Sequence, residues 1–168
     1  ASMPALELTD RLGISRLLAA RSFIFEDSAI LNEVESEVQE LVRTSNSPDD
    51  LFVWQTIRAM KLFLEGEYLQ ALDAASLSEE IGERNEYAGF FGYTEAIYIK
   101  ARCYLEFCEA GKANDELEKL AKLAREWQQW PWLFMAESYL ARVLMIKGKV
   151  EEAFAVVRDL RQFASEFK

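Results

Sequence analysis

Turn signals recur at a nearly constant interval along this chain, and that interval constrains the fold more than any other feature of the sequence. Asp27, Gly66, Cys108 and Gly148 are separated by 39, 42 and 40 residues. Between these turns apolar residues recur at the three- and four-residue spacing of helices, and strand signals are almost absent. A period near 40 residues in a helical chain is typical of stacked helical hairpins, in which each hairpin packs only on its neighbours.

Breaks in the helical pattern predict eight helices in four hairpins, at about residues 5–43, 48–84, 87–128 and 131–167. The clearest break precedes the third helix, where Ser47 is a good N-cap and Pro48 takes the first helical position. We therefore predict an all-α fold in which antiparallel hairpins stack as a right-handed superhelix. We expect residues 1–168 to form a single helical-repeat domain.

Two of the turns share a longer motif. Residues 66–72 and 148–154 both read glycine, charged, apolar, two polar-tolerant positions, alanine and apolar. The glycine supplies the left-handed conformation that ends a helix. The alanine, together with a second alanine seven residues before each glycine, allows two helices to approach closely. We therefore expect four alanines to be buried at helix contacts: Ala59, Ala71, Ala141 and Ala153.

This small–turn–small pattern resembles the tetratricopeptide repeat, although the usual period of that repeat is 34 residues. The longer repeats resemble those in the helical domain of large MalT-like, LuxR-family transcriptional regulators, most clearly over residues 140–153. Such regulators combine an ATPase module, a helical sensor domain and a DNA-binding helix-turn-helix, and this sequence has neither a Walker A motif nor a basic recognition helix. The resemblance implies an effector-sensing domain that is a fragment of a longer protein. The alternative is a free-standing adaptor that holds a peptide or helix in a concave groove.

Composition excludes several classes of activity. The sequence has no histidine, which removes imidazole acid–base chemistry and His-dependent triads or zinc sites. It also has no phosphate-binding loop, nucleophile elbow or Cys-x-x-Cys pair. We predict that the chain is not an enzyme and needs no cofactor and no metal. Its net charge of −10 predicts no direct contact with nucleic acid and no membrane surface as partner.

The two cysteines predict a reduced protein. Cys103 and Cys108 lie five apart in one helical run, which separates them by about 140° around a helix and prevents a disulfide or shared metal. We expect both to be small, buried apolar residues in a cytoplasmic protein.

An arginine series provides the candidate binding site. Arg21, Arg102 and Arg142 each follow the small residue of a first helix, a position that tends to face the concave groove of a tetratricopeptide stack. Tyr98 and Ser138 share this phase. Guanidinium groups bind carboxylate or phosphate through paired hydrogen bonds. We therefore predict that the partner is a protein with an acidic segment or a small anionic effector.

The arginines also have a purely structural interpretation. A glutamate of a neighbouring helix, such as Glu95 or Glu137, could pair with them. In that case the arginines would form salt bridges within the fold and would not provide a binding surface. The sequence does not distinguish this structural role from the binding role.

An aromatic cluster at a hairpin corner provides a possible interface. It contains Trp127, Trp130 and Trp132, and Phe90, Phe91 and Tyr93 lie about 40 residues earlier. These side chains either pack between repeats or form an exposed patch that docks a partner. Phe167 on the last helix would contact a further repeat, so end-to-end packing could produce an oligomer.

Overall fold

The computed structural model describes residues 5–45, 47–87 and 89–166, and this part of the chain contains helices and turns but no strand. The eight helices are α1 Ala5–Ile24, α2 Ser28–Ser45, α3 Pro48–Leu64, α4 Tyr68–Arg84, α5 Phe91–Glu106, α6 Ala110–Glu126, α7 Trp130–Ile146 and α8 Val150–Glu166. The predicted all-α fold is confirmed. Over the described residues, no helix combines the length and the apolar character that crossing a membrane requires.

The chain divides into two compact units, Ala1–Ile99 and Lys100–Lys168, and the division falls within α5. In the first unit, α1 packs against α2 and α3, α2 against α3, and α3 against α4. In the second unit, α7 packs against both α6 and α8. That residues 1–168 act as a single domain stays a prediction.

Six of the described helices end in the same turn, in which one residue adopts a left-handed backbone conformation. At Gly66, for example, φ is 80°, its N–H bonds to the Phe63 carbonyl at 3.1 Å, and the next N–H bonds to the Leu62 carbonyl at 2.9 Å. These two bonds define a Schellman motif. The glycines predicted to supply this conformation do so. The left-handed residues of the six turns are Glu26, Gly66, Glu86, Cys108, Gln128 and Gly148.

Small side chains at the α3–α4 contact let these two helices pack closely in the first unit. Ala59 on α3 and Ala71 on α4 are fully buried, as predicted. One turn earlier on α3, the Thr56 hydroxyl lies 2.7 Å from the Ser78 hydroxyl of α4, and both residues are fully buried. The contact therefore combines close alanine packing with a buried polar pair that satisfies itself.

The second unit is built on the amphipathic α6. Its apolar stripe, which includes Leu117 and Leu120, is fully buried. On the helices that follow, Ala141 of α7 and Ala153 of α8 are also buried. All four alanines that the repeat motif singled out are therefore core residues.

The two cysteines have different environments. Cys103 is buried in α5, and burial raises the pKa of its thiol to about 12, so this thiol is inert at neutral pH. Cys108 is exposed, and the prediction that it is a buried apolar residue was wrong. Because α5 ends at Glu106, Cys108 lies in the turn and has no buried helix face to join.

Candidate functional site

Three predicted site residues, Arg102, Ser138 and Arg142, lie in the second unit. The Arg102 guanidinium of α5 lies 5.1 Å from the centre of the Tyr139 ring of α7, a cation–π contact. Ser138 and Arg142 are both exposed on α7. Arg142 lies three residues after Tyr139 on the same helix, and residues three apart on a helix are surface neighbours. We call this set of residues the arginine surface.

The glutamates that were candidates for neutralising the arginines have other partners. The Glu137 carboxylate pairs with Arg125, at the end of α6. The Glu95 carboxylate pairs with Arg16 of α1. Arg142 makes no ion pair with any residue that the structure describes. The salt-bridge interpretation therefore has no support at Arg142.

In the first unit, the two remaining predicted residues differ in environment. Arg21 is exposed near the end of α1, and it too has no ion-pair partner among the described residues. Tyr98 is only 1% exposed and its ring lies edge-on to Phe23, so the prediction that it lines an accessible groove was wrong. Met60, at the position equivalent to Arg21 in the second repeat, is also fully buried. The phase of the repeat therefore does not by itself place a side chain in solvent.

The predicted aromatic interface is only partly exposed. Trp127 is 48% exposed, whereas Trp132 is 6% exposed and belongs to the core, which corrects its assignment to an interface. The half-buried ring of Trp130 lies 5.2 Å from that of Phe163 on α8. These two residues line a cavity of about 500 Å³ formed by α7, α8 and the end of α6. Phe167 lies outside the described residues.

A second cavity, of about 370 Å³, lies in the first unit, and none of the predictions from the sequence included it. It is bounded by α1, by the first turn of α3 and by the connection between α4 and α5. Its walls include the rings of Phe52, Tyr87 and Phe90. The described residues that line it also include three charged ones, namely Arg16, Asp49 and Asp50. We call it the α1–α3 cavity.

Glycines next to aromatic residues are the sequence signal that could have indicated the α1–α3 cavity. A Cβ on Gly92 would lie 2.8 Å from the Phe52 ring, and one on Gly82 would lie 2.6 Å from the Tyr93 ring and 3.2 Å from that of Phe52. Because both glycines lack a side chain, the Phe52 ring can occupy the space next to their backbone. Asp50 lies in the first turn of α3, where an acidic residue is favoured by the helix dipole in any case, so its presence gave no separate signal of a cavity.

Comparison with known proteins identifies the fold and goes no further. No protein-family model matches the chain, and no curated protein matches it. A solved structure that it resembles is the crystal structure of a kinesin light chain-like protein of Podospora anserina with nearly identical TPR-like repeats. The match has a TM-score of 0.68 and 19% sequence identity, and it covers 93% of this chain and 76% of that one.

The chain therefore has the fold of tetratricopeptide-like helical repeats. Among the residues that the structure describes, no group of three Cys, Asp or Glu side chains is placed to hold a metal ion. The side chains on accessible surfaces can offer cation–π contacts, guanidinium forks and carboxylates, which is the chemistry of non-covalent binding.

Proposed function

We propose that the chain is a non-catalytic binding module and that its arginine surface takes an anionic partner. The observation that carries this proposal is the exposed Arg142 guanidinium, which has no carboxylate partner among the described residues while the neighbouring Glu137 is held by Arg125. In a chain of net charge −10, acidic side chains that could neutralise an arginine are abundant. An arginine left without one is therefore available for an external anion.

The geometry around Tyr139 favours a carboxylate or phosphate group. The ring holds the Arg102 guanidinium by a cation–π contact and limits the number of rotamers that this side chain can adopt. Arg142 and the exposed Ser138 hydroxyl, on the same helix as Tyr139, add further donors. An anion placed there would accept hydrogen bonds from more than one residue, which favours an acidic peptide segment or a small anionic effector.

The finer proposal is that this module is the effector-sensing domain of a LuxR-family transcriptional regulator. It rests on the resemblance of residues 140–153, which form the end of α7 and the start of α8. In such a cytoplasmic regulator, ligand binding would shift the populations of two arrangements of the neighbouring domains. The alternative, a free-standing adaptor, uses the same surface for a partner peptide.

The experiment measures binding of fluorescein-labelled hexaglutamate by anisotropy, and of succinate by calorimetry, to the wild type and to Arg102→Ala, Arg142→Ala and the double variant. Each single variant should weaken binding by about tenfold, as expected for loss of one charge-assisted contact. Arg158→Ala on α8 is the matched control, since Arg158 is also an exposed arginine of the second unit.

Preference for the peptide would identify an acidic protein segment, and preference for succinate would identify a small effector. The proposal is wrong if the wild type binds neither probe. It is also wrong if Arg158→Ala weakens binding as much as Arg142→Ala does, because the attraction would then be a general property of the surface. The melting temperatures of Arg142→Ala and Arg158→Ala should stay at the wild-type value, whereas Arg102→Ala loses its contact with Tyr139 and should melt slightly lower.

A further inference from the structure

We propose that the α1–α3 cavity is a binding site for an alkylammonium group, held by Asp50 and by the aromatic rings of the cavity wall. The site lies wholly within the first unit, on residues other than those of the arginine surface. The ligand has the opposite charge to the partner proposed above, so each proposal can fail without the other.

The first argument is an isolated carboxylate. Asp50 is 9% exposed, it lines the cavity, and its side chain makes no hydrogen bond or ion pair with any described residue. Most of the Asp50 side chain is shielded from bulk water, and a carboxylate in such a place gains from a partner of opposite charge. The helix dipole at the first turn of α3 supplies only a partial positive charge. A cation in the cavity would supply a full one.

Asp50 is not needed as a cap for its own helix. The Ser47 hydroxyl already performs this role, since it accepts a hydrogen bond from the Asp49 N–H at 3.2 Å. The backbone N–H of Ser47, which a capping box would pair with the side chain of residue 50, bonds instead to the Ser45 hydroxyl at 3.4 Å. The carboxylate of Asp50 therefore remains available to the cavity.

The second argument is the aromatic wall. The Phe52 and Tyr87 rings have centroids 5.2 Å apart at an interplanar angle of 58°, and Tyr87 and Phe90 are 5.3 Å apart at 63°. Three rings inclined to one another present π faces in different directions around one space. Such rings attract alkylammonium groups through their quadrupoles, and the alkyl substituents gain apolar contact. Phe90, which also lines the cavity, is 62% exposed, so the solvent-exposed part of the cavity wall includes an aromatic ring.

The third argument is the sign of the charge. Arg16 is the one cation among the described residues that line the cavity, and its Nη1 already donates to the Glu95 carboxyl group at 2.9 Å. Asp49 and Asp50 line the same cavity, so two carboxylates outnumber this single cation. An anionic ligand would be repelled by both of them, whereas an alkylammonium group would be attracted. The excess of negative charge thus selects a cation.

The experiment titrates choline and its neutral isostere 3,3-dimethylbutan-1-ol into the ¹⁵N-labelled chain and follows the amide resonances of the first unit. Choline should bind at least about tenfold more tightly, because only the cation gains the carboxylate and the π faces. The shifts should be localised at the first turn of α3 and the α4–α5 connection. Asp50→Asn should weaken choline binding by about tenfold without affecting the alcohol.

Asp73→Asn is the matched control, since Asp73 is an exposed aspartate of the same unit outside the cavity. A third arm titrates a lysine-containing tetrapeptide, Ac-Gly-Lys-Gly-Gly-NH₂, to learn whether the group comes from a protein side chain or from a free small cation. The proposal is overturned if choline and the alcohol bind equally well, or if neither choline nor the peptide shifts these resonances. It is also overturned if Asp50→Asn, with an unchanged melting temperature, binds choline like Asp73→Asn.

Discussion

The Arg16 guanidinium of α1 donates a hydrogen bond to the Glu95 carboxylate of α5 at 2.9 Å, and it does so where Glu95 is almost fully buried. The second carboxylate oxygen of Glu95 has no hydrogen-bond partner. Burial raises the pKa of Glu95 from 4.5 to about 7, although the charge of Arg16 and its hydrogen bond act in the opposite direction. The pair links two helices that lie 79 residues apart in sequence.

The raised pKa of Glu95 predicts that stability depends on pH between 4.5 and 7. In this window the folded chain holds a proton that the unfolded chain has lost, so this contribution to stability is present below 4.5 and disappears as the pH rises through 7. The loss amounts to about 3–4 kcal/mol, since one pKa unit corresponds to about 1.4 kcal/mol. Glu95→Gln, which mimics the protonated form, should flatten this dependence in urea unfolding at several pH values.

The control for this measurement is Glu33→Gln, on the exposed face of α2. It should reproduce the pH dependence of the wild type. If Glu95→Gln retains the full slope between pH 4.5 and 7, the ionisation of Glu95 is not its source.

Ala141 should not tolerate a larger side chain. It is 6% exposed in α7, so Ala141→Leu introduces three carbon atoms into a packed contact and should destabilise the chain by roughly 1–3 kcal/mol. Ala164→Leu on α8, at an exposed position, should change stability by less than about 0.5 kcal/mol. Thermal unfolding of both variants tests this expectation, and equal melting temperatures would contradict it.

The left-handed turns predict opposite effects of two substitutions. Cys108 has φ of 59°, so Cys108→Gly should relieve backbone strain and stabilise the chain by about 0.5–1 kcal/mol. Gly148 has φ of 72° with open space where a Cβ would lie, so Gly148→Ala should destabilise it by about 1 kcal/mol through backbone conformation alone. In urea unfolding, the two substitutions should therefore change the free energy of unfolding in opposite directions. A change in the same direction for both would refute this explanation.

The buried hydroxyl pair of Thr56 and Ser78 should act as one unit. Thr56→Val removes one hydroxyl and leaves the other with a single weaker acceptor, the Phe52 carbonyl at 3.4 Å, so a loss of about 1–2 kcal/mol is expected. Ser78→Ala should cost less, because the Thr56 hydroxyl still donates to the Phe52 carbonyl at 3.0 Å. The double variant should lose less than the two single variants together, and full additivity in the double-mutant cycle would show that the hydroxyls do not interact.

The fold could be predicted because its signals are local and repeated. Gly66 and Gly148 mark helix ends by their backbone freedom, and Ala59 and Ala71 mark a close contact by their size. Neither depends on the rest of the chain. The other left-handed residues, such as Glu86, have no such signature, because the paired hydrogen bonds of the turn hold them in a conformation that their side chains disfavour.

The site was less predictable because exposure depends on several helices at once. Arg21 and Met60 occupy equivalent repeat positions, yet one is exposed and the other fully buried. Tyr98 was assigned to a groove by phase, whereas its ring packs on Phe23, from a helix more than 70 residues away in sequence. The period of a repeat gives the direction of a side chain on its own helix, but it does not give the neighbours that cover it.

The Schellman turns determine where the repeats can vary in length. Five of the six connections that begin with this turn have three residues between their helices, so an insertion there would break the paired hydrogen bonds that join one helix to the next. The α4–α5 connection makes the same turn at Glu86 but continues to residue 90 before α5 begins, and these added residues include Phe90 of the α1–α3 cavity. New binding chemistry in such an array would therefore arise by lengthening connections beyond the turn, while the hairpins themselves stay interchangeable.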